Sequence, residues 1–187
     1  MTLKKILSAA ASIIKFFIFI FLTTNSNAET NYSKYYSKDL GTLSLIYHRF
    51  NENKYPSTNI QIEIFKKQID IIKKNNYEFY NPKKFDFEFD KPKLKKKILI
   101  SIDDAFSSFY ENAWPYLKEN KIPFILFVST EPIGKYGYMT WDQIKEIEKE
   151  DFVFIGNHSH SHDYLVNYNF EKFKKDIDQS IKIFKEK

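Results

Sequence analysis

The sequence predicts an α/β protein in which helices cover a parallel β-sheet, either open or closed into a barrel. Short apolar runs rich in β-branched and aromatic residues alternate along the chain with segments that repeat apolar residues at helical spacing. One of these runs, residues 98–102, is apolar almost throughout, which is typical of a strand buried on both faces of a parallel sheet. Polar residues follow several of the predicted strands directly, at the edge where α/β proteins place their chemistry.

The first elements lie in residues 42–84. Residues 42–47 form a β-prone run, and residues 77–80 predict a second short strand that ends before Pro82. Residues 85–89 alternate Phe with acidic residues, as an exposed strand or an extended loop would. Between the two strands a helix is predicted from four apolar residues spaced by three, four and three positions: Ile62, Phe65, Ile69 and Ile72.

The remaining elements follow the buried strand at residues 98–102. Ser107 or Ser108 is expected to cap a helix, and residues 123–129 and 152–155 predict two more strands. Thr140 and Gln143 have the spacing of a capping box, which predicts a helix through Ile144 and Ile147. Asn169 is expected to cap a final helix that carries five apolar residues on one side: Phe170, Phe173, Ile177, Ile181 and Phe184.

The composition excludes several classes of protein. A length of 187 residues suits a single domain, and 43% hydrophobic residues allow a packed core, so wholesale disorder is excluded. The sequence has no cysteine, which excludes disulfide scaffolds, thiol enzymes and iron–sulfur proteins. The net charge is +5, but Arg49 is the only arginine, and arginine is the usual residue for phosphate and base recognition. A nucleic-acid partner is therefore disfavoured.

Residues 1–28 are expected to be a signal peptide. Lys4 and Lys5 precede an apolar stretch, and small residues at Ser26 and Ala28 suit cleavage after Ala28. An uncleaved membrane anchor is disfavoured, because the uninterrupted apolar run covers only residues 16–22, well short of the roughly 20 residues that a spanning helix needs. We therefore expect the protein to be exported to the periplasm or the cell exterior and to contact the membrane only during export. Residues 29–40 are then a polar lead-in to a domain over 41–187.

The pair Asp103-Asp104 follows the buried strand directly. Two adjacent carboxylates at the mouth of an apolar strand repel each other and lose hydration, so they normally need a cation or a shared proton. The alternative interpretation is that one of them caps the next helix.

Three of the four histidines lie close together, at His158, His160 and His162, while His48 stands apart. The i, i+4 pair of His158 and His162 can converge on one metal if the turn is helical, and pairs two residues apart converge less readily. The alternative is an ordinary polar loop, since histidine-rich tracts alone are weak evidence of metal binding.

The aspartate pair and the histidine cluster together favour a hydrolytic metal site. One carboxylate with two imidazoles is a known ligand set for catalytic zinc, and the second carboxylate can act as a general base. Neighbouring residues on a regular strand point to opposite faces, so Asp103 and Asp104 can serve one site only if the chain leaves the pleat there.

These two motifs resemble those of the polysaccharide deacetylases (carbohydrate esterase family four, the NodB-homology domain). Residues 100–106 are similar to the first motif, usually Thr-Phe-Asp-Asp-Gly, and residues 156–162 are similar to the second, histidine-containing motif. Residues 45–50 look like the first strand of the exopolysaccharide-deacetylase branch. The resemblance covers roughly residues 43–187, with the core motifs in 96–187.

The resemblance implies a distorted, incomplete (β/α) barrel of the NodB-homology type. It implies that Asp103 is the catalytic base and that Asp104, His158 and His162 hold a divalent metal, most often zinc. The implied reaction is hydrolysis of a carbon–nitrogen, non-peptide amide bond, which removes acetyl groups from an N-acetylated polysaccharide. His160 matches a variable position and is not expected to be a ligand.

Two features depart from the family pattern. Ala105 replaces the usual Gly, which costs on the order of 1 kcal/mol if the residue has a positive φ. No Arg or His follows His162, whereas the family's later motifs supply an Arg and a His that acts as general acid. We therefore expect a domain truncated at its C-terminal end, and the alternatives are a fragment or a domain completed by a partner. The alternatives to an N-deacetylase are an inactive carbohydrate-binding or scaffold relative and an O-deacetylase such as an acetylxylan esterase.

Overall fold

The structure is a computed structural model that describes residues 41–84 and 97–187. The expected signal peptide at 1–28, the polar lead-in at 29–40 and the alternating stretch at 85–89 lie outside the described residues.

The described residues form a parallel β-sheet, as the sequence predicts. Its strands are β1 (Thr42–Tyr47), β4 (Glu78–Phe79), β5 (Lys97–Asp103), β6 (Phe124–Val128) and β7 (Val153–Asn157). The central strands run in the order β1-β5-β6-β7, and β4 pairs with β5 beside this path. The outer edges of β1 and β7 pair with no strand in the described residues, so the sheet does not close into a barrel there. A separate parallel pair comprises β2 (Arg49–Phe50) and β3 (Asn59–Ile60).

In residues 41–84 and 97–187, four α-helices accompany the strands: α1 (Ile62–Lys74), α2 (Trp114–Glu119), α3 (Trp141–Glu148) and α4 (Phe170–Glu186). A π-helical segment (Phe109–Ala113) precedes α2, and the 3₁₀ turns are Pro82–Lys84 and Leu165–Asn167. Within the described part of the chain, every helix is too short or too polar to cross a membrane.

Aromatic rings form much of the core below the sheet edge that carries the polar residues. Phe50, Phe65, Phe109 and Phe124 are all fully buried. The ring centroids are 5.2 Å apart for Phe50 and Phe65, 5.9 Å for Phe50 and Phe109, and 5.5 Å for Phe109 and Phe124. Burying such a side chain contributes roughly 1.5–3 kcal/mol. The rings therefore tie β2, α1, the π-helical segment and β6 into one support for the residues above them.

Two of the predicted helix caps are present, and the third, predicted for Ser107 or Ser108, is not formed by Ser108. Thr140 and Gln143 form the reciprocal capping box, and the Asn169 side chain accepts a hydrogen bond from the Lys172 amide at 2.9 Å. Ser108 does not cap a helix: its backbone is already helical, and its Oγ accepts a hydrogen bond from the Phe50 amide at 3.2 Å. The hydroxyl holds β2 against the π-helical segment instead.

The last helix buries polar rather than apolar side chains. On α4 the buried residues are Asp176 and Ser180. On its apolar side, Phe170 is 71% exposed, and Phe173 and Ile181 are also exposed in the described part of the chain. The helix is therefore held by hydrogen bonds to the loop that follows β7 and, near its C-terminal end, by packing of Phe184 against Trp141, with ring centroids 5.8 Å apart.

Candidate metal centre

The chain leaves the pleat directly after the buried strand. β5 ends at Asp103, and the next two residues, Asp104 and Ala105, have φ angles of 72° and 55°. The two adjacent carboxylates can therefore face the same site, as a shared function requires. Ala105 is fully buried, so burial of its methyl group, worth about 0.8 kcal/mol, offsets much of the cost of its left-handed backbone.

The loop after β7 brings two histidines together without a helical turn. Ser159 and His162 have φ angles of 71° and 59°, and the Oδ1 of Asn157 accepts a hydrogen bond from the Ser159 amide at 2.8 Å. The Ser159 Oγ accepts another from the His162 amide at 3.1 Å. As a result the rings of His158 and His162 lie 5.1 Å apart between centroids. The expected condition of a helical turn is thus wrong, and a hydrogen-bonded loop takes its place.

Residue 156 has no room for a side chain. A Cβ added to Gly156 would lie 2.5 Å from the Phe127 ring, which itself packs near the His158 ring at 6.0 Å between centroids. Because residue 156 is glycine, the Phe127 ring of β6 can pack close to the backbone of β7 and lie near the His158 ring.

Asp104, His158 and His162 form a group that can hold a metal ion. The Asp104 Oδ1 lies 2.9 Å from the His162 Nε2 and 3.5 Å from the His158 Nε2. One ligand atom from each of the three residues lies within 4.8 Å of the others. Ligands bound about 2 Å from a tetrahedral ion lie about 3.3 Å apart, so these separations suit a shared cation.

The environment of Asp104 also fits a cation. Its side chain is 8% exposed, and its Oδ1 has no hydrogen-bond partner among the described residues. The contact with His162 is close, but it is not a hydrogen bond in this structure. A buried carboxylate oxygen that lacks a hydrogen bond and faces two imidazole nitrogens is stabilised by a positive ion.

Asp103 lies outside this group of three. Burial raises the pKa of its carboxyl group above the ordinary value, although the imidazoles of His158 and His48 oppose the shift. The Oδ1 of Asp103 is buried without a hydrogen-bond partner in the described residues, and its Oδ2 lies 4.0 Å from the His48 Nε2. A carboxylate in this position is suited to accept a proton.

His48 is the site residue to which the sequence analysis gave no role. It follows β1, and parallel pairing sets Tyr47 beside Ile102, one residue before Asp103. The signal available in the sequence was its position directly after a predicted strand that could neighbour β5.

A stack of aromatic and cationic side chains supports the loop after Asp104. The guanidinium carbon of Arg49 lies 3.4 Å from the ring centroid of Phe106 and 4.0 Å from that of Tyr55. Arg49 also forms an ion pair with Glu52 at 2.8 Å, and the rings of Phe106 and Tyr138 are 4.9 Å apart. Phe106 is thereby buried and anchors the loop.

His160 points to a different partner. Its Nδ1 lies 2.8 Å from the Thr130 Oγ1, and it is not in the group that can hold a metal. The end of β6 holds the same loop at another point, because the Ser129 Oγ donates a hydrogen bond to the His158 carbonyl at 2.8 Å.

Comparisons with known proteins identify relatives of this chain. The sequence model of the polysaccharide deacetylases matches residues 90–187. A poly-β-1,6-N-acetyl-D-glucosamine N-deacetylase of Staphylococcus aureus (strain MRSA252) is 27% identical over 144 residues, which cover 74% of this chain and 50% of the relative. The chain thus spans about half the length of the curated relatives it matches.

Solved structures show the same fold. The structure of IcaB from Ammonifex degensii superposes with a TM-score of 0.68 at 26% identity, over 79% of this chain and 69% of the other. The deacetylase PplD of Streptococcus pyogenes, solved with acetate, superposes with a TM-score of 0.66 at 20% identity, over 76% of this chain and 66% of the other, and supports the fold alone. The fold class is therefore the α/β architecture of the NodB-type deacetylases, with its barrel not closed in the described residues. From the family match and this fold together, the chain belongs to the polysaccharide deacetylase family.

Proposed function

We propose that this chain is a metal-dependent hydrolase that removes acetyl groups from the amide nitrogen of an N-acetylated polysaccharide. The observation that carries the proposal is the convergence of Asp104, His158 and His162 beside a separate buried carboxylate, Asp103. By its name, the Staphylococcus aureus relative acts on poly-β-1,6-N-acetyl-D-glucosamine. A polymer of N-acetylglucosamine is therefore the substrate to test first.

Asp104, His158 and His162 would hold the cation, and we propose that it is zinc. Two imidazoles and one carboxylate are typical ligands of catalytic zinc, which needs three protein ligands and a free position. When bound, the ion would polarise the acetyl carbonyl as a Lewis acid and make water a stronger nucleophile.

Asp103 would act as the general base. Water attacks the acetyl carbonyl carbon, and the Asp103 carboxylate accepts the proton that this water loses. Burial raises the pKa of Asp103, which moves it toward neutral pH, where a base transfers protons most effectively.

His48 is our candidate for the general acid. Breaking the carbon–nitrogen bond expels an amine, which leaves only if its nitrogen gains a proton. The His48 imidazole lies beside the proposed base, and its side chain is 29% exposed, so it can exchange protons with solvent.

Replacing His48 by Gln should lower kcat on an N-acetylated sugar by about 10²–10⁴, the usual contribution of a general acid. Hydrolysis of an aryl acetate should change little, because a phenolate leaves without a proton. Both rates are measured by acetate release, with zinc content as a check on the site. His160→Gln is the matched control, since His160 contacts Thr130 rather than the proposed ligands. An equal loss on both substrates would show that His48 is not the acid.

The proposed activity is tested by acetate release from three acetylated substrates. Zinc-loaded protein is incubated with β-1,6-linked N-acetylglucosamine oligomers, chitin oligomers and acetylated xylan. Faster release from either N-acetylated oligomer supports the N-deacetylase. Faster release from acetylated xylan supports an O-deacetylase. Sugar binding with no acetate release at high protein concentration supports an inactive carbohydrate-binding relative.

We also propose that the protein is exported. The basic, apolar and small-residue segments of residues 1–28 support this location, and a polysaccharide substrate outside the cytoplasm would require it. Mass determination of the N-terminus after expression in a secreting host tests the cleavage after Ala28.

A further inference from the structure

We propose that Asp176 is a positioning residue that holds the loop of residues 158–162 in its metal-binding shape, so that its loss weakens metal affinity. The inference rests on the proposed function, because it takes His158 and His162 to be metal ligands.

Asp176 is buried on a helix and is bonded entirely to the loop. It is 8% exposed, its Oδ1 accepts a hydrogen bond from the His160 amide at 2.8 Å, and its Oδ2 accepts one from the Ser161 amide at 3.0 Å. Burial alone would raise the pKa of Asp176, but these hydrogen bonds and the Ser161 hydroxyl lower it, so the carboxylate stays ionised. A buried carboxylate with both oxygens satisfied by backbone amides fixes the path of that backbone.

A second polar contact supports the same loop from the next turn of the helix. Ser180 is fully buried, and its Oγ accepts a hydrogen bond from the Asn157 Nδ2 at 2.8 Å. α4 therefore contacts the residue before the loop and the middle of the loop.

The loop needs this support because its backbone is strained. Ser159 and His162 have positive φ angles, and each such residue costs about 1–2 kcal/mol when it is not glycine. Strained conformations persist only where the surroundings hold them in place. His160 and Ser161, which Asp176 binds, lie between the two proposed ligands.

Releasing the amides of His160 and Ser161 would let the imidazoles of His158 and His162 separate. Binding of the ion would then also have to restore the order of the loop. Loss of a partner that orients metal ligands typically weakens metal affinity about 10–100-fold.

The test uses the full chain and three variants. Asp176→Ala removes both acceptors, and Asp176→Asn keeps one acceptor in nearly the same shape. Asp178→Asn is the matched control, because Asp178 lies on the same helix, is exposed and pairs with Lys174. The zinc dissociation constant is measured by competition with a chelator, and the thermal midpoint is measured on metal-free protein.

We expect Asp176→Ala to weaken zinc binding about 10–100-fold, Asp176→Asn to weaken it less, and Asp178→Asn to leave it unchanged. A folded Asp176→Ala protein with wild-type zinc affinity would overturn the proposal, as would a lower thermal midpoint without a change in affinity. If Asp176→Ala does not fold, Asp176→Asn decides, and an unchanged affinity overturns the inference. Failure of the wild-type chain to bind zinc would contradict the proposed function as well, whereas unchanged affinity in the variants contradicts this inference alone.

Discussion

Replacing Asp103 by Asn should abolish acetate release while zinc remains bound. The amide has nearly the shape of the carboxylate but cannot accept the proton that the attacking water loses. Because Asp103 is not in the group formed by Asp104, His158 and His162, the ligands should be intact. Loss of a general base typically costs about 10²–10⁴ in rate, and kcat on N-acetylglucosamine oligomers measures it.

The control for this variant is the neighbouring change Asp104→Asn. It alters the adjacent carboxylate by the same chemistry, yet we expect it to lose zinc as well as activity. Wild-type activity in Asp103→Asn would refute the assignment of the base. Loss of zinc from Asp103→Asn would instead make Asp103 a ligand.

Replacing His162 by Ala should empty the metal site and remove activity together. Its Nε2 is 2.9 Å from the Asp104 Oδ1, and the loss leaves one imidazole and one carboxylate to hold the ion. We expect the zinc affinity to fall by more than the roughly 10–100-fold that loss of a hydrogen-bonded partner of a ligand costs. Metal analysis after dialysis, together with acetate release, measures both effects.

His160→Ala is the comparison for His162→Ala. It removes an imidazole two residues away on the same loop while leaving its backbone bond to Asp176 in place. This variant should keep its zinc. Stoichiometric zinc in His162→Ala, or loss of zinc from His160→Ala alone, would mean that the wrong histidine has been assigned.

Those parts of the fold that depend on local sequence could be predicted. The apolar run that became β5 and the capping box at Thr140 and Gln143 are set by residues a few positions apart. The role of Ser108 could not be predicted, because its partner Phe50 is 58 residues away along the chain. From local sequence alone, the Ser108 hydroxyl could equally cap a helix. Only the packing of β2 on the π-helical segment brings the Phe50 amide to it.

The candidate site also has residues that could be predicted from the sequence and a contact that could not. Asp104, His158 and His162 are recognisable from residue type and from the resemblance of their motifs. The contact of His48 with Asp103 depends on β1 lying next to β5, and no periodicity in the sequence specifies which strands are neighbours.

The loop itself was the harder part to predict. Ser159 and His162 have positive φ angles. Non-glycine residues seldom adopt such angles, so the residue types at these positions do not predict this backbone conformation. The contact of Asp176 with the loop is a polar addition to the apolar docking that the pattern of α4 predicts. Asp176 lies 16 and 15 residues along the chain from His160 and Ser161, so local sequence does not specify this contact.

The position of the metal is the most direct test of this account. Crystals of the zinc-loaded protein, measured at the zinc absorption edge, should show one anomalous peak about 2.0–2.2 Å from an Asp104 oxygen and from one nitrogen each of His158 and His162. The Asp103 carboxylate should lie beside the ion without binding it. A peak held by Asp103 and His48, or no peak at this edge of the sheet, would contradict the account.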